Sequence, residues 1–206
     1  MLQDGLNLLI LDILTVNVFG GTIMDRVKNE PWDRGCLHVY TGDGKGKTTA
    51  ALGLAVRAAG RGMRTFIGQF MKGSFYGELA GLEHLNGLVV VEQFGTSECI
   101  PRRDDPAPVD VKAARDGLLR CRQIFEKGEF DIVVLDEINV AVYFNLIGED
   151  DVMALLDYAS DELEVVCTGR YASQALLARA DLVTEMKCLR HPFETMGLAA
   201  RDGIER

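Results

Sequence analysis

The stretch Thr41-Gly42-Asp43-Gly44-Lys45-Gly46-Lys47-Thr48-Thr49 has the residue types and spacing that bind a nucleoside triphosphate. Its glycines let the backbone turn N–H groups inward around an anion. A helix starting behind them adds free N–H groups and the positive end of its dipole. Lys47 then sits against the outer phosphates, with Lys45 adding local positive charge, and the Thr48 hydroxyl is placed to ligate Mg²⁺. The strict spacing of a phosphate loop puts glycine where Thr41 stands; counted from Gly42 the loop is one residue short.

A second cluster is the apolar run Ile132-Val133-Val134-Leu135 delivering Asp136-Glu137. Uninterrupted apolar runs fit strands buried on both faces of a parallel sheet. At the carboxyl end of such a strand Asp136 would hold Mg²⁺, directly or through water, because Mg²⁺ prefers oxygen ligands and keeps waters. Glu137 would touch the metal or the nucleotide, or polarise a water. Ligands of open α/β sheets bind outside the carboxyl ends of strands. Gln69, Lys72, Gly73, Phe94, Gly95, Gly169 and Arg170, all just beyond apolar runs, therefore point to the same crevice. Arg57, in the helix after the loop, is readable as a phosphate contact or as a solvated helix-face arginine, and Lys72 as a site residue or a solvated loop lysine. His38, His84 and His191 are isolated and read as structural.

The elements that must carry these residues alternate strand and helix from Gly35 onward, the signature of a parallel α/β sheet. The pattern predicts strands at 36–40, 65–70, 88–94, 131–135, 164–168 and 182–186, with helices at 47–59, 150–159 and 173–180. Residues 74–86 read as loop plus a short helix. Residues 95–109 hold three prolines and read as a long loop; Asp110 then caps a helix to about Lys127, ended by Gly128. From Lys187 the chain reads as a terminal arm. The expected fold is a P-loop, RecA-like three-layer sandwich around a mostly parallel sheet of about six strands, filling residues 35–206.

The formal net charge of −9 argues against coating nucleic acid, which calls for a basic surface. Five cysteines, odd in number and without a CxxC pair, indicate neither a zinc ribbon nor a disulfide framework, and imply a reducing cytoplasm. Cys36, Cys121 and Cys167 lie in apolar patterns as core thiols. Residues 1–34 lack the strand-helix alternation of the remaining chain. The apolar run at 6–19 is interrupted by Asn7, Asp12 and Asn17, too short and polar for a membrane span and without the positive flank of a signal peptide. This segment is read as an N-terminal extension, with Met24 an alternative start.

In these residues the chain resembles the ATP:corrinoid adenosyltransferases of vitamin B12 metabolism. The resemblance rests on the loop 41–49, Gln69-Phe70-Met71-Lys72-Gly73, Leu135-Asp136-Glu137-Ile138-Asn139, Thr168-Gly169-Arg170 and Ala180-Asp181-Leu182-Val183-Thr184-Glu185-Met186. His191-Pro192-Phe193, Gly197 and Gly203-Ile204-Glu205 complete it, in the family's order and from about Gly35 to the end. The short phosphate loop is the family's own form. The resemblance implies transfer of the 5′-deoxyadenosyl group of ATP to the Co(I) centre of a corrinoid, with inorganic triphosphate leaving. With the residue reading above, this assigns Lys47 and Glu137 to catalysis, and Gly42, Asp43, Gly44, Lys45, Gly46, Lys47, Thr48, Thr49, Arg57 and Arg170 to the nucleotide. Mg²⁺ falls to Thr48, Asp136 and Glu137. Phe94 would face the corrin; the family's second aromatic, two residues on, is Thr96 here, with Ile100 a candidate replacement. A homodimer, an N-terminal arm (residues 24–34) closing over the corrinoid, and a flavodoxin or other flavoprotein as reductant are further implications. Complete cobalamin and an incomplete corrinoid such as the a,c-diamide remain alternatives. The competing readings are a P-loop kinase and a RecA-like ATPase that hydrolyses ATP to drive a partner; no Asn-Lys-x-Asp motif supports a GTPase.

Overall fold

Six short runs rich in Val, Ile, Phe and Thr form one fully parallel sheet in the computed structural model, which describes residues 34–97 and 103–205. The strands are β1 (Leu37–Thr41), β2 (Thr65–Phe70), β3 (Val89–Phe94), β4 (Ile132–Asp136), β5 (Glu164–Thr168) and β6 (Leu182–Glu185), in the order β3-β2-β4-β5-β1-β6. Helices α1 (Lys47–Ala59), α2 (Gly77–Glu83), α3 (Pro108–Lys127), α4 (Ile138–Tyr143), α5 (Glu149–Leu156), α6 (Gln174–Arg179) and α7 (Pro192–Met196) connect them or come after the last strand. The expectations for residues 1–33, for Cys99 and for Ile100 lie outside the described residues.

The core divides by strand periodicity. Alternate residues of a strand face opposite sides of a sheet, so Ile132 and Val134 join Ala51, Ala55, Ala58 and Leu82 of α1 and α2 in one buried layer. Val133 and Leu135 join Ala114, Cys121, Ile124, Ile138, Val152, Leu155 and Leu176 of α3 to α6 in the other. This is the three-layer architecture expected from the sequence, around a parallel sheet of six strands. Small alanines on the inner face of α1 let the helix approach the sheet closely, which fixes where its N-terminus and Lys47 stand.

The long helix differs from expectation at its start. Pro108 occupies the first turn, where a missing N–H costs nothing, and Ala107 is the N-cap. Asp110 is not the cap; it lies buried in the first turn and accepts a hydrogen bond from Thr96 Oγ1 at 2.7 Å. Gly128 ends the helix in the left-handed conformation, as anticipated. Helix α4 was not anticipated, because Ile138-Asn139-Val140-Ala141-Val142-Tyr143 is β-branched and short, and only tertiary packing makes it helical.

Helix α3 meets β3 at a glycine. A Cβ on Gly117 would fall 2.4 Å from Phe94 Cγ, whereas one on Gly53 of α1 would meet nothing within 4 Å. Gly117→Ala is therefore expected to destabilise the fold by about 1–3 kcal/mol through overpacking. Gly53→Ala should stabilise it by about 0.5–1 kcal/mol through helix propensity. Urea unfolding of the two variants checks the pair, and equal effects would contradict this packing.

Candidate active site

β1 ends at Thr41 and the chain turns at once into the glycine loop. Gly42 and Gly46 have φ of 94° and 121°, values that L side chains rarely adopt. Gly44 is required for a different reason: its N–H donates to Met186 O at 2.7 Å, and a Cβ there would lie 2.8 Å from that oxygen. The loop is thus laid directly on the segment leaving β6. Helix α1 begins at Lys47 with no side-chain cap, leaving first-turn N–H groups without intrahelical partners and facing the loop. Lys47 is buried and its ammonium bridges Gly42 O at 2.6 Å and Gly44 O at 2.8 Å. Burial holds its pKa below the usual lysine range, against the nearby carboxylates, chiefly Glu137.

Asp136, at the end of β4, is completely buried. Its Oδ1 accepts from Thr48 Oγ1 at 2.8 Å and from Thr168 Oγ1 at 2.7 Å. Its Oδ2 accepts from Lys72 Nζ at 2.9 Å and, more weakly, from Gln69 Nε2 at 3.4 Å. Four elements therefore meet at one carboxylate: α1, β5, the turn after β2, and β2 itself. β5 lies between β1 and β4 in the sheet, so the acidic strand does not adjoin the loop strand. The Thr48 side chain, in the first turn of α1 on the neighbouring layer, closes that gap.

Glu137 comes next in the left-handed region, φ 61°, an unusual conformation for a non-glycine residue. Its N–H donates to Thr168 Oγ1 at 3.0 Å, which holds the turn. The Glu137 carboxyl faces the cavity, and burial, aided by the Asp136 charge, holds its pKa above the ordinary glutamate value. Lys72, Lys47 and Arg170 oppose that shift. For Lys72 burial acts to lower the pKa, but Asp136 and then Glu78 outweigh it, so its ammonium is held above the lysine norm.

These groups line a cavity of about 880 Å³. The loop residues Asp43 to Thr49 form one wall, Lys72, Tyr76 and Glu78 another, and Val140, Phe144, Arg170 and Tyr171 a third, mostly apolar. Tyr171 also has positive φ, 63°, and its ring stacks on Tyr143 with centroids 4.0 Å apart. The C-terminal segment completes the rim: Lys45 Nζ donates to Ile204 O at 2.7 Å and to Glu205 Oε1 at 3.1 Å. Gln93 Nε2 donates to Gln69 Oε1 at 3.1 Å and to Ser74 O at 3.0 Å, linking β3 to this network.

The structure brings together the expected Asp43, Gly44, Lys45, Gly46, Lys47, Thr48, Thr49, Glu137 and Arg170 around the cavity, with Gly42 and Asp136 immediately behind them. Two expected residues lie elsewhere. Arg57 is exposed on α1, roughly 15 Å along the helix from Lys47, where its charge bears on Tyr40. The Phe94 ring packs on Phe70 at 5.5 Å and against Gly117, within the layer between sheet and α3, and is not among the cavity-lining residues. Sequence reasoning missed Tyr76, Glu78, Phe144 and Tyr171, which stand several residues beyond strand ends. It also missed the return of the C-terminal arm, for which no local signal exists. His38 is satisfied by Glu164, with Nε2 to Oε1 at 2.6 Å, and His191 Nδ1 accepts from Phe193 N at 3.2 Å to cap α7. Cys121 and Cys167 are core thiols, the latter pushed up to about 12 by burial; Cys36 is only half-buried.

Magnesium fits this donor set. It takes oxygen ligands, usually one or two carboxylates with substrate phosphates and waters. Thr48 Oγ1 and Asp136 Oδ1 are already 2.8 Å apart, and Glu137 adds a carboxylate on the cavity wall.

A carboxyl group whose folded pKa is raised binds protons more readily folded than unfolded, so it subtracts stability once pH rises above its unfolded value. Glu137→Gln should therefore raise the melting temperature at pH 7.5 and leave it little changed near pH 4. Differential scanning calorimetry at the two pH values checks this; no stabilisation at pH 7.5 would contradict it.

Comparison with known proteins shows the family. The model of a family described as ATP:corrinoid adenosyltransferase BtuR/CobO/CobP matches residues 33–206. The corrinoid adenosyltransferase of Escherichia coli (strain K12) is 32% identical over 181 residues, covering 87% of this chain and 90% of that protein. The corrinoid adenosyltransferase of a Sinorhizobium species is 35% identical over 176 residues, covering 84% and 81%. Among solved structures the RadB recombinase overlays at a TM-score of 0.49 with 18% identity, covering 77% of each chain. With a phosphate loop, an acidic strand end and a matching family model over most of its length, the chain belongs to the ATP:corrinoid adenosyltransferase family.

Proposed function

We propose that this chain transfers the 5′-deoxyadenosyl group of ATP to the Co(I) centre of a reduced corrinoid. The observation that carries the reading is that Lys47 and Thr48 line a cavity with Asp136 bonded to Thr48 just behind them, while Val140 and Phe144 line it elsewhere. The triphosphate lies in the glycine loop, against the α1 N-terminus and Lys47, with Arg170 facing it across the cavity. Co(I) attacks the ribose C5′; the Co–C bond forms as the C5′–O bond breaks, and triphosphate leaves with the electron pair. Because the corrinoid brings the nucleophile, the protein's work is positioning and charge neutralisation. Bound Mg²⁺ would add positive charge on the leaving phosphates, held by Thr48, Asp136 and Glu137.

The reading puts the corrin ring against Val140, Phe144 and Tyr171, the apolar and aromatic side chains that line the cavity. Phe94 would reach it only by leaving its packing on Phe70. A homodimer is supported by the exposed apolar residues Leu182, Val183, Leu189, Phe193 and Met196 on β6 and the segment after it. A flavoprotein reductant delivering electrons to the corrinoid, and a cytoplasmic location, complete the reading. No helix among the described residues is long and apolar enough to cross a membrane.

An anaerobic mixture of protein, ATP, Mg²⁺ and chemically reduced cobalamin tests this. The expected result is a light-sensitive alkylcobalamin spectrum with one triphosphate released per cobalt alkylated. ADP and phosphate without a change in the corrin spectrum would overturn the reading in favour of an ATPase or kinase. Lys47→Ala should weaken ATP binding by about a hundredfold, the loss of two charge-assisted contacts. Unchanged affinity in titration calorimetry would remove the loop from the site.

A further inference from the structure

The turn after β2 is built with more care than a connecting loop requires. Met71 has φ 59°, and its N–H donates to Phe94 O at 3.2 Å. A Cβ on Gly73 would lie 2.5 Å from Gly95 O, and one on Gly95 2.5 Å from Lys72 N. Two backbones are therefore pressed together through glycines, and between them Lys72 is aimed in one direction. Its ammonium lies 2.9 Å from Asp136 Oδ2, 3.6 Å from Glu78 Oε1 and 5.0 Å from the Tyr76 ring centroid, at the cavity wall.

This places a cation on the same buried carboxylate that a metal at Thr48 would need. Asp136 has its lone pairs filled by Thr48, Thr168, Gln69 and Lys72. A divalent ion entering beside Thr48 competes with the ammonium for Asp136 and repels it. The lysine side chain is long and flexible, and the triphosphate oxygens are its alternative partner on the open side.

Resting on the reading of a triphosphate in this cavity, we propose that Lys72 neutralises Asp136 from its Oδ2 side until a metal binds beside Thr48, and then turns to the triphosphate. The lysine is then both a competitor of the metal and a second cation on the leaving group. These two roles have opposite signs in binding, which a purely structural lysine would not produce.

The test uses full-length protein without corrinoid. Mn²⁺ binding is read by electron paramagnetic resonance, and inorganic triphosphate binding, at saturating Mg²⁺, by calorimetry. Lys72→Gln should bind Mn²⁺ about tenfold more tightly and triphosphate about tenfold more weakly, the scale of one charge-assisted hydrogen bond. Lys72→Arg should restore triphosphate binding. Both ligands weakening together, or neither changing, would overturn the proposal. Glu78→Gln removes one of the lysine's two carboxylates and should tighten triphosphate binding several-fold; unchanged binding would overturn the proposal even where Lys72→Gln does not fold. None of these readouts involves a corrinoid, so their failure leaves adenosyl transfer standing, and failure of the alkylation assay leaves them standing.

Discussion

A carboxylate taken fully out of water is tolerated only when its lone pairs are occupied, because an unpaired buried charge costs several kcal/mol. Asp136 satisfies that constraint by drawing in Thr48 from α1, Thr168 from β5, and Lys72 and Gln69 from the end of β2. Each partner lies at the carboxyl edge of the sheet, and each brings a neighbour with it. Thr48 fixes the start of α1, so Lys47 closes on the glycine loop. Thr168 takes the Glu137 N–H and holds that residue in its left-handed turn toward the cavity. The geometry of the nucleotide wall is set by how one buried charge is satisfied.

Backbone contact does the rest. The loop is one residue shorter than the usual phosphate loop, and it lies on Met186 and Lys187 so closely that Gly42 and Gly44 have no room for a side chain. The strand β6 and the arm beyond it are therefore part of the site. The arm's end returns to Lys45, and the Arg201 hydrogen bonds lower the Glu205 carboxyl to about 2. Lys45 and Lys47 look equivalent in the sequence but are held differently: one is tied to the arm at the rim, the other is buried beneath the loop.

Most of the fold was legible because buried parallel strands announce themselves as apolar runs, and the loop and the acidic strand end carry their own signatures. Ile132 to Leu135 is such a run, and its alternate residues divide between the two core layers as the strand period requires. What was not legible depends on contacts distant in sequence. Helix α4 has poor intrinsic helicity and forms because Ile138 and Ala141 bury against the sheet. Phe94 sits at a strand end, like a ligand-facing residue, but the absence of a side chain at Gly117 lets its ring turn into the core. Tyr171 reaches the cavity from a positive-φ turn and Glu78 from the start of α2, placements that no local pattern encodes. Arg57 shares a helix with the site, yet the rise of that helix carries it out of reach.

The claim that Asp136 organises the cation sites is tested most directly by titrating ATP into Asp136→Asn with and without Mg²⁺, after melting curves show that the variant is folded. The account predicts that Mg²⁺ ceases to tighten ATP binding, because the amide no longer holds the ion beside Thr48. A variant in which Mg²⁺ tightens ATP binding as much as in the native protein would contradict it, and would place the metal on groups other than this carboxylate.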